Sequence, residues 1–269
     1  MLKRRLLTAL ILIPVVIVAI WYLPMPWFAW LVAVAVIAAA WEWSGLVGFP
    51  HNIGRTIYTL IIIAALVVTY YLPIHWVLAA AFFAWAWAAA AVVSYALGYS
   101  ALGMQYSVLK GLMGILALVP CWLAINVIRE SLGGPFWLFF GLMLVWATDT
   151  GGYIAGQLWG KHSLAKRVSP KKTWEGFAGG MVLTLVVAVV VSLIFHTTPY
   201  RIFLIAVLAL VIALFAVLGD LLESLLKREV GIKDSGVLLP GHGGVLDRVD
   251  SVMAALPIFA LGSLFLLGG

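Results

Sequence analysis

Residues 201–267 read RIFLIAVLALVIALFAVLGDLLESLLKREVGIKDSGVLLPGHGGVLDRVDSVMAALPIFALGSLFLL. Two apolar runs flank one charged, glycine-rich segment, which extends from Ser224 to Ser251. An apolar helix of about 20 residues can cross a bilayer, whereas charged residues at membrane depth usually mark a pathway or a site. The pattern predicts two membrane helices joined by a polar segment that carries the chemistry of the protein.

The whole chain has the composition of a membrane protein. It is 65% hydrophobic and 10% charged, whereas ordinary soluble domains are about half apolar and about a quarter charged. We predict an all-α polytopic membrane protein with about nine transmembrane helices and no separate soluble domain. The predicted spans lie near residues 6–23, 26–44, 56–72, 75–97, 110–128, 135–156, 176–195, 201–226 and 250–267.

The basic residues predict the orientation, because Lys and Arg concentrate in the cytoplasmic loops of membrane proteins. If the basic N-terminus lies inside, nine spans leave only Arg129 and Arg201 of the 16 basic residues outside. We therefore predict that the N-terminus and the segment from Ser224 to Ser251 are cytoplasmic.

The N-terminal apolar run raises the alternative of a cleaved signal peptide. No small-residue cleavage pattern precedes Trp21 and Tyr22, and the run is long enough to span, so we predict a retained first helix. The single cysteine, Cys121, excludes an intramolecular disulfide and a cysteine-based zinc site. We expect it to be a small core residue.

The acidic residues divide the chain into two regions. Eight of the 10 Asp and Glu residues follow Leu144. We predict scaffold helices in residues 1–130, which are rich in alanine and aromatic residues, and a catalytic region in residues 131–269. The two longest predicted cytoplasmic loops, 157–175 and 227–249, would together form one cavity facing the cytoplasm.

Asp149 is predicted near the cytoplasmic end of the sixth span. A carboxylate there faces a cavity or a partner, or it caps the helix together with its threonine neighbours. Gly152, Gly156 and Gly160 follow it at four-residue spacing, which is more typical of a close helix contact than of a ligand loop.

The loop that follows is basic. Pro170 ends regular helix, and Lys171 and Lys172 precede Thr173 and Glu175 at a predicted helix start. Backbone N–H groups at a helix start favour anions, so the lysines suit a phosphate. Orientation alone would also place basic residues in this loop, and the sequence leaves both interpretations open.

Helical spacing places Asp220, Glu223, Ser224 and Lys227 on one face at the end of the eighth span. Asp247 and Asp250 lie one turn apart where the ninth helix begins. Asp220 and Asp247, together with Asp149 or Asp250, would supply oxygen ligands for a metal ion. Mg²⁺ suits them, because it binds a few carboxylates, waters and substrate phosphates. The glycines of PGHGG, residues 240–244, allow backbone to approach a phosphate closely.

Motifs in the second half of the chain resemble those of the phosphatidate cytidylyltransferases, also called CDP-diacylglycerol synthases. They are DTGGYIAGQLWGKH at 149–162, SPKKTWEG at 169–176, and the ordered series SLLKR, KD, PGHGG and LDRVD between Ser224 and Asp250. The first half is similar only in general character. The match resembles the bacterial branch of the family, which resides in the inner membrane.

The resemblance implies an enzyme that converts phosphatidic acid and CTP to CDP-diacylglycerol and pyrophosphate in phospholipid biosynthesis. It implies Mg²⁺, with a monovalent cation such as K⁺ assisting, membrane lipids as surroundings, a homodimer and no nucleic-acid partner. The metal ligands would be Asp220 and Asp247, supported by Asp250 and Asp149. The catalytic residues would be Asp220, Asp247, Lys227, Arg248 and His242, and the substrate contacts Lys171, Lys172, Ser224, Arg228, Lys233, Gly243 and Gly244.

Other functions remain as alternatives. A CTP-dependent membrane lipid kinase would also need acidic and basic loops, but would react at the γ-phosphorus. The ordered aspartate motif of the CDP-alcohol phosphotransferases is not present. A transporter for an organic phosphate should carry charge to the bilayer midplane from both sides, whereas here the acidic residues gather at one end.

Overall fold

The computed structural model describes residues 14–49, 51–236 and 243–266. Helices make up nearly all of this part of the chain, and a short β-hairpin lies between the sixth and seventh helices. In chain order the elements are α1 (helical over residues 14–22), α2 (Met25–Val47), α3 (Asn52–Thr69), α4 (Ile74–Ala96), α5 (Ser107–Glu130), α6 (Gly134–Trp159), β1 (Ser163–Ala165), β2 (Ser169–Thr173), α7 (Trp174–Ile194), α8 (Pro199–Glu229) and α9 (Leu246–Leu266).

Within the described part of the chain, seven helices, α2 to α8, are long and apolar enough to cross a membrane. The predicted span 6–23 corresponds to α1, which is described from residue 14 onward. The earlier residues of this span lie outside the described residues. The predicted retention of a first helix depends in part on them. The predicted span 250–267 corresponds to the apolar part of α9. The predicted class, an all-α polytopic membrane protein, is confirmed.

The length of α8 decides where its polar face lies. The helix has 31 residues, which at 1.5 Å per residue extend about 46 Å, longer than the roughly 30 Å hydrocarbon core of a bilayer. Its last turns, from Asp220 to Glu229, can therefore project beyond the apolar layer. This places the acidic residues of α8, together with Lys227 and Arg228, at one end of the helix bundle.

Glycines bring α6 and α7 into close contact. A Cβ added at Gly176 would lie 2.8 Å from the carbonyl oxygen of Gly152, and one added at Gly156 would lie 3.4 Å from Thr173 Oγ1. A Cβ at Gly151 would lie 2.6 Å from the carbonyl oxygen of Gly179. Small residues permit such an approach between membrane helices, and the predicted packing role of the glycine series is confirmed.

One hydrophobic core joins the two predicted regions of the chain. Trp43 and Trp85 from residues 1–130 belong to the same buried cluster as Leu222 and Met253. Cys121 is buried in this cluster, as expected for a small core residue. Helices α2, α4 and α5 are therefore packed directly against α8 or α9, which carry acidic residues.

The β-hairpin was not predicted. Ser163 pairs with Thr173 and Ala165 pairs with Ser169 in an antiparallel arrangement. Thr173 then caps α7, since its Oγ1 accepts a hydrogen bond from Gly176 N–H at 3.1 Å, as the predicted helix start requires. Neighbouring residues of a strand point to opposite faces, so Lys171 is exposed while Lys172 is directed inward.

Candidate active site

The inward lysine of the hairpin meets the polar face of α8. Lys172 Nζ lies 2.7 Å from Asp220 Oδ2 and also donates to the carbonyl oxygen of Val217 at 3.4 Å. Ser224 donates to the other oxygen, Asp220 Oδ1, at 3.3 Å. The side chain of Asp220 is 35% exposed, so this carboxylate remains accessible to a ligand.

Lys227 joins α8 to α9 one turn further along. Its Nζ donates to Glu223 Oε2 at 2.7 Å and to Asp247 Oδ1 at 2.9 Å. Glu223 is only 1% exposed, and a buried carboxylate needs such a partner because desolvation of an unpaired charge is costly. The predicted helical face is therefore confirmed, and its residues form two hydrogen-bonded pairs, Asp220 with Ser224 and Glu223 with Lys227.

Asp247 holds both described ends of the segment that precedes α9. Its Oδ2 accepts from Gly244 N–H at 2.8 Å, and Ser235 N–H lies 3.3 Å from Oδ1 and 3.2 Å from Oδ2. Burial of the Asp247 carboxylate opposes its ionisation, but the hydrogen bonds from Lys227 and Gly244 hold its pKa below the ordinary value. Gly243 has φ +83°, a conformation that favours glycine.

Asp149 and Asp250, the remaining carboxylates, lie near Asp220 and share Ser251 as a hydrogen-bond donor. Ser251 donates through Oγ to Asp149 Oδ1 at 3.4 Å and through its N–H to Asp250 Oδ1 at 2.7 Å. Electrostatic repulsion acts between Asp149 and Asp220 and between Asp250 and both of them. Carboxylates from α6, α8 and α9 thus approach one another beside the Asp220–Lys172 pair.

These carboxylates suit a hard cation, although they do not form a closed cage. In the described part of the chain, no group of three His, Cys, Asp or Glu side chains is gathered as a ready metal site. Mg²⁺ does not need one, because it keeps several waters and binds through one or two carboxylates plus substrate phosphates. Asp220 offers an accessible carboxylate with like charges nearby, whereas both oxygens of Asp247 accept hydrogen bonds from the chain.

A cavity of about 320 Å³ lies beside the Asp220–Lys227 face. This volume falls in the range of small-ligand sites, about 300–1,000 Å³. The β2 strand and the segment after α8 both contribute to it, so the predicted meeting of the two long loops in one cavity is confirmed. The lining residues are Ser169, Pro170, Lys171, Ser224, Lys227, Arg228, Lys233 and Asp234.

The other predicted site residues differ in how they relate to this cavity. Arg228 lines it and donates from Nε to the carbonyl oxygen of Val168 at 3.3 Å, which ties α8 to the hairpin. Arg248 lies in the first turn of α9 with an exposed side chain. Gly243 and Gly244 precede α9 beside Asp247. His242 lies outside the described residues, as do the first two residues of PGHGG.

A second cavity, of about 270 Å³, lies far from this site. Its lining includes Phe136, Phe195 and Arg201, and no acidic residue among the described ones. Arg201 precedes Asp220 by nineteen residues on α8, about 29 Å at 1.5 Å per residue. The acidic and basic side chains that suit phosphate and metal binding therefore lie at the cavity beside Asp220 and not at this second cavity.

Glu42 is a buried acidic residue at the start of α9 that the sequence analysis did not single out. Its carboxylate reaches from α2 to the start of α9, where Oε2 accepts from Leu246 N–H at 2.8 Å. The side chain is 3% exposed. A signal was available, because Glu42 is the one acidic residue before Glu130, and an isolated charge within an apolar span usually has a partner.

Comparison with known proteins shows the family to which this chain belongs. The model of the cytidylyltransferase family matches residues 3–265. A phosphatidate cytidylyltransferase of Pseudomonas aeruginosa is 38% identical over 262 residues, which cover 97% of this chain and 96% of that protein. One of Haemophilus influenzae is 32% identical over 289 residues, which cover 99% of this chain and 100% of that protein. This chain belongs to the cytidylyltransferase family.

Proposed function

We propose that this protein is a phosphatidate cytidylyltransferase, which makes CDP-diacylglycerol and pyrophosphate from CTP and phosphatidic acid in phospholipid biosynthesis. The observation that carries the proposal is the cavity with Lys171, Lys227, Arg228 and Lys233 beside the carboxylate of Asp220. Basic residues suit the phosphates of both substrates. The membrane helices provide the surroundings that a lipid substrate needs.

The transfer forms one bond and breaks one. A phosphate oxygen of phosphatidic acid attacks the α-phosphorus of CTP, and the bond from that phosphorus to the oxygen that bridges it to the β-phosphorus breaks, which releases the β- and γ-phosphates as pyrophosphate. A phosphate monoester is already largely deprotonated at neutral pH, so the step needs no strong general base. Positioning and electrostatic stabilisation of the transferring phosphoryl group supply most of the acceleration.

The residues in and around the cavity have different proposed roles in this transfer. Lys171 and Lys233, both exposed, contact the triphosphate, while Lys227 and Arg228 stabilise negative charge at the reacting phosphates. Lys172 stays beside Asp220 and orients its carboxylate. Ser224, Arg248, His242, Gly243 and Gly244 complete the proposed substrate site.

Mg²⁺ would be held by Asp220, with Asp149 and Asp250 close by and Asp247 as a further candidate ligand. The mutual repulsion of Asp149, Asp220 and Asp250 supports this set, because a cation between them relieves it. When bound, the ion neutralises charge on phosphate oxygens. A monovalent cation such as K⁺ is the proposed second ion.

The protein would lie in a bacterial inner membrane with this cavity on the cytoplasmic side. CTP would arrive from the cytoplasm, and phosphatidic acid would enter laterally from the membrane lipids between helices. The excess of basic residues in the predicted inside loops supports this orientation. A homodimer without a nucleic-acid partner is the proposed assembly.

The test uses purified protein in detergent with Mg²⁺, phosphatidic acid and CTP labelled at either the α- or the γ-phosphorus. The proposal expects Mg²⁺-dependent α-label in the lipid and γ-label in pyrophosphate. A γ-label in the lipid would instead establish a lipid kinase. Transfer of neither label by folded protein would overturn both assignments and favour an organic phosphate transporter.

A further inference from the structure

Glu42 contacts the start of α9 from the opposite half of the chain. Its Oε2 accepts from Leu246 N–H at 2.8 Å, and the two residues are 204 positions apart in the sequence. The first N–H groups of a helix have no partner within that helix. A carboxylate at this position satisfies one of them and is favoured there by the helix dipole.

Two glycines leave the space that the Glu42 carboxylate occupies. A Cβ added at Gly236 would lie 2.5 Å from Glu42 Cδ, and one added at Gly244 would lie 2.7 Å from the same atom. In each case an oxygen of the carboxylate would be closer still. The carboxylate is therefore enclosed between the two described ends of the segment that joins α8 to α9.

The same segment holds the Asp247–Lys227 pair. Gly244, which packs against Glu42, donates its N–H to Asp247 Oδ2 at 2.8 Å. Ser235, which precedes Gly236, donates its N–H to the same carboxylate. Movement of either described end away from α2 would carry one backbone donor of Asp247 with it.

We propose that Glu42 is a positioning residue for the transfer reaction, because it holds residues 235–236 and 244–246 against α2 and thereby fixes Asp247 beside Lys227. This role rests on the proposed function, since Glu42 acts through the segment and does not line the cavity. Its burial supports the role, because a carboxylate enclosed at 3% exposure is retained at a cost in desolvation.

The first experiment compares Glu42→Ala and Glu42→Gln with Trp43→Phe in full-length protein purified in detergent. Trp43 is the matched control, since it is the next residue on α2, is fully buried, and donates from Nε1 to the carbonyl oxygen of Lys110 at 3.0 Å. Two quantities are measured: kcat and KM for CTP, and hydrogen exchange of the amides in residues 231–236 and 243–250.

The proposal expects at least a tenfold fall in kcat for Glu42→Ala, with faster exchange at residues 244–247. Glu42→Gln should lose less of its kcat than Glu42→Ala, because the amide oxygen of glutamine still accepts from Leu246 N–H. Trp43→Phe should stay within threefold of the unchanged protein in kcat and keep the exchange pattern. An equal loss in Trp43→Phe, or an unchanged kcat in Glu42→Ala, would overturn the positioning role.

A second experiment tests the contact between Gly236 and the Glu42 carboxylate, and it does not require replacing Glu42 by alanine. Gly236→Ala should lower kcat at least tenfold, because its new Cβ meets the Glu42 carboxylate. The same substitution in Glu42→Asp protein should cost less than threefold, since the shorter side chain frees that space. Additive losses in the double variant would contradict a direct contact.

The exchange measurement separates this inference from the proposed function. Wild-type protein that transfers no label while Glu42→Ala speeds exchange at residues 244–247 would overturn the cytidylyl transfer and support the anchoring contact. Active wild-type protein with no change in exchange or kcat on substitution of Glu42 would overturn the anchoring contact alone.

Discussion

Lys227 Nζ lies 2.9 Å from Asp247 Oδ1 and 2.7 Å from Glu223 Oε2, so one ammonium group pairs with carboxylates of both α8 and α9. The pair closes the bundle at the end where the cavity lies. Because Asp247 also accepts hydrogen bonds from Ser235 and Gly244, the ion pair and the loop backbone depend on each other. Stability and activity should therefore change together at Asp247.

Asp247→Asn should lower both stability and activity. The amide replaces one accepting oxygen with a donor, which leaves Lys227 or Gly244 N–H without its acceptor. An unsatisfied buried group of this kind costs about 1–3 kcal/mol. Thermal unfolding in detergent and the α-label assay should both report the loss. An unchanged unfolding midpoint would contradict the structural role of this carboxylate.

Asp220→Asn should abolish activity with little change in stability. Its pair with Lys172 involves side chains that are 23% and 35% exposed, and such pairs contribute about 0–1 kcal/mol. An amide is a poor Mg²⁺ ligand, so we expect the rate to fall about 100-fold or more. The measurement is kcat at several Mg²⁺ concentrations, with Glu130→Gln, distant from the site, as control. Near-normal turnover would exclude Asp220 as a ligand.

Lys171→Ala should weaken CTP binding. The side chain is exposed and lines the cavity, and no carboxylate in the described part of the chain is within ion-pair distance of it. We expect KM for CTP to rise about tenfold, equivalent to about 1.4 kcal/mol. Lys166→Ala is the matched control, because Lys166 is an exposed lysine of the same hairpin that does not line the cavity. Equal rises in both variants would indicate a general charge effect.

Gly151→Ala should destabilise the contact between α6 and α7. The new Cβ would lie 2.6 Å from the carbonyl oxygen of Gly179, and overpacking of this kind costs about 1–3 kcal/mol. Gly152→Ala is the control on the next residue, since its Cβ would meet no atom closer than 3.5 Å. Unfolding midpoints in detergent compare the two. A similar midpoint for both variants would contradict the close helix contact.

The polar face of α8 was predictable because the helical period is a local property. Asp220, Glu223, Ser224 and Lys227 fall on one face of any helix that contains them, and the structure brings all four together. Which partner each of these side chains binds was not predictable. Lys227 donates to one oxygen of Asp247, and that contact depends on how α9 packs against α8.

The hairpin between α6 and α7 could not be predicted from SPKKT. The five residues of SPKKT are polar or turn-forming, so they show no alternation of apolar and polar side chains. The pairing of this strand with β1 depends on contacts with α8. Lys172 bonds Asp220, and Val168, which is fully buried, accepts through its carbonyl oxygen from Arg228. Because neighbouring residues of a strand point to opposite faces, the side chain of Lys171 is exposed while that of Lys172 points toward α8.

The sequence by itself determined the membrane class, the positions of the apolar helices and the end of the bundle where charge gathers. Each depends on hydrophobicity and helical spacing within about 20 residues. Only the tertiary structure decided that Glu42 contacts the start of α9, because its partner Leu246 is 204 residues away. No local pattern encodes such a pairing. It arises when α2, α5 and α9 pack into one core and bring the Glu42 carboxylate to the N–H of Leu246.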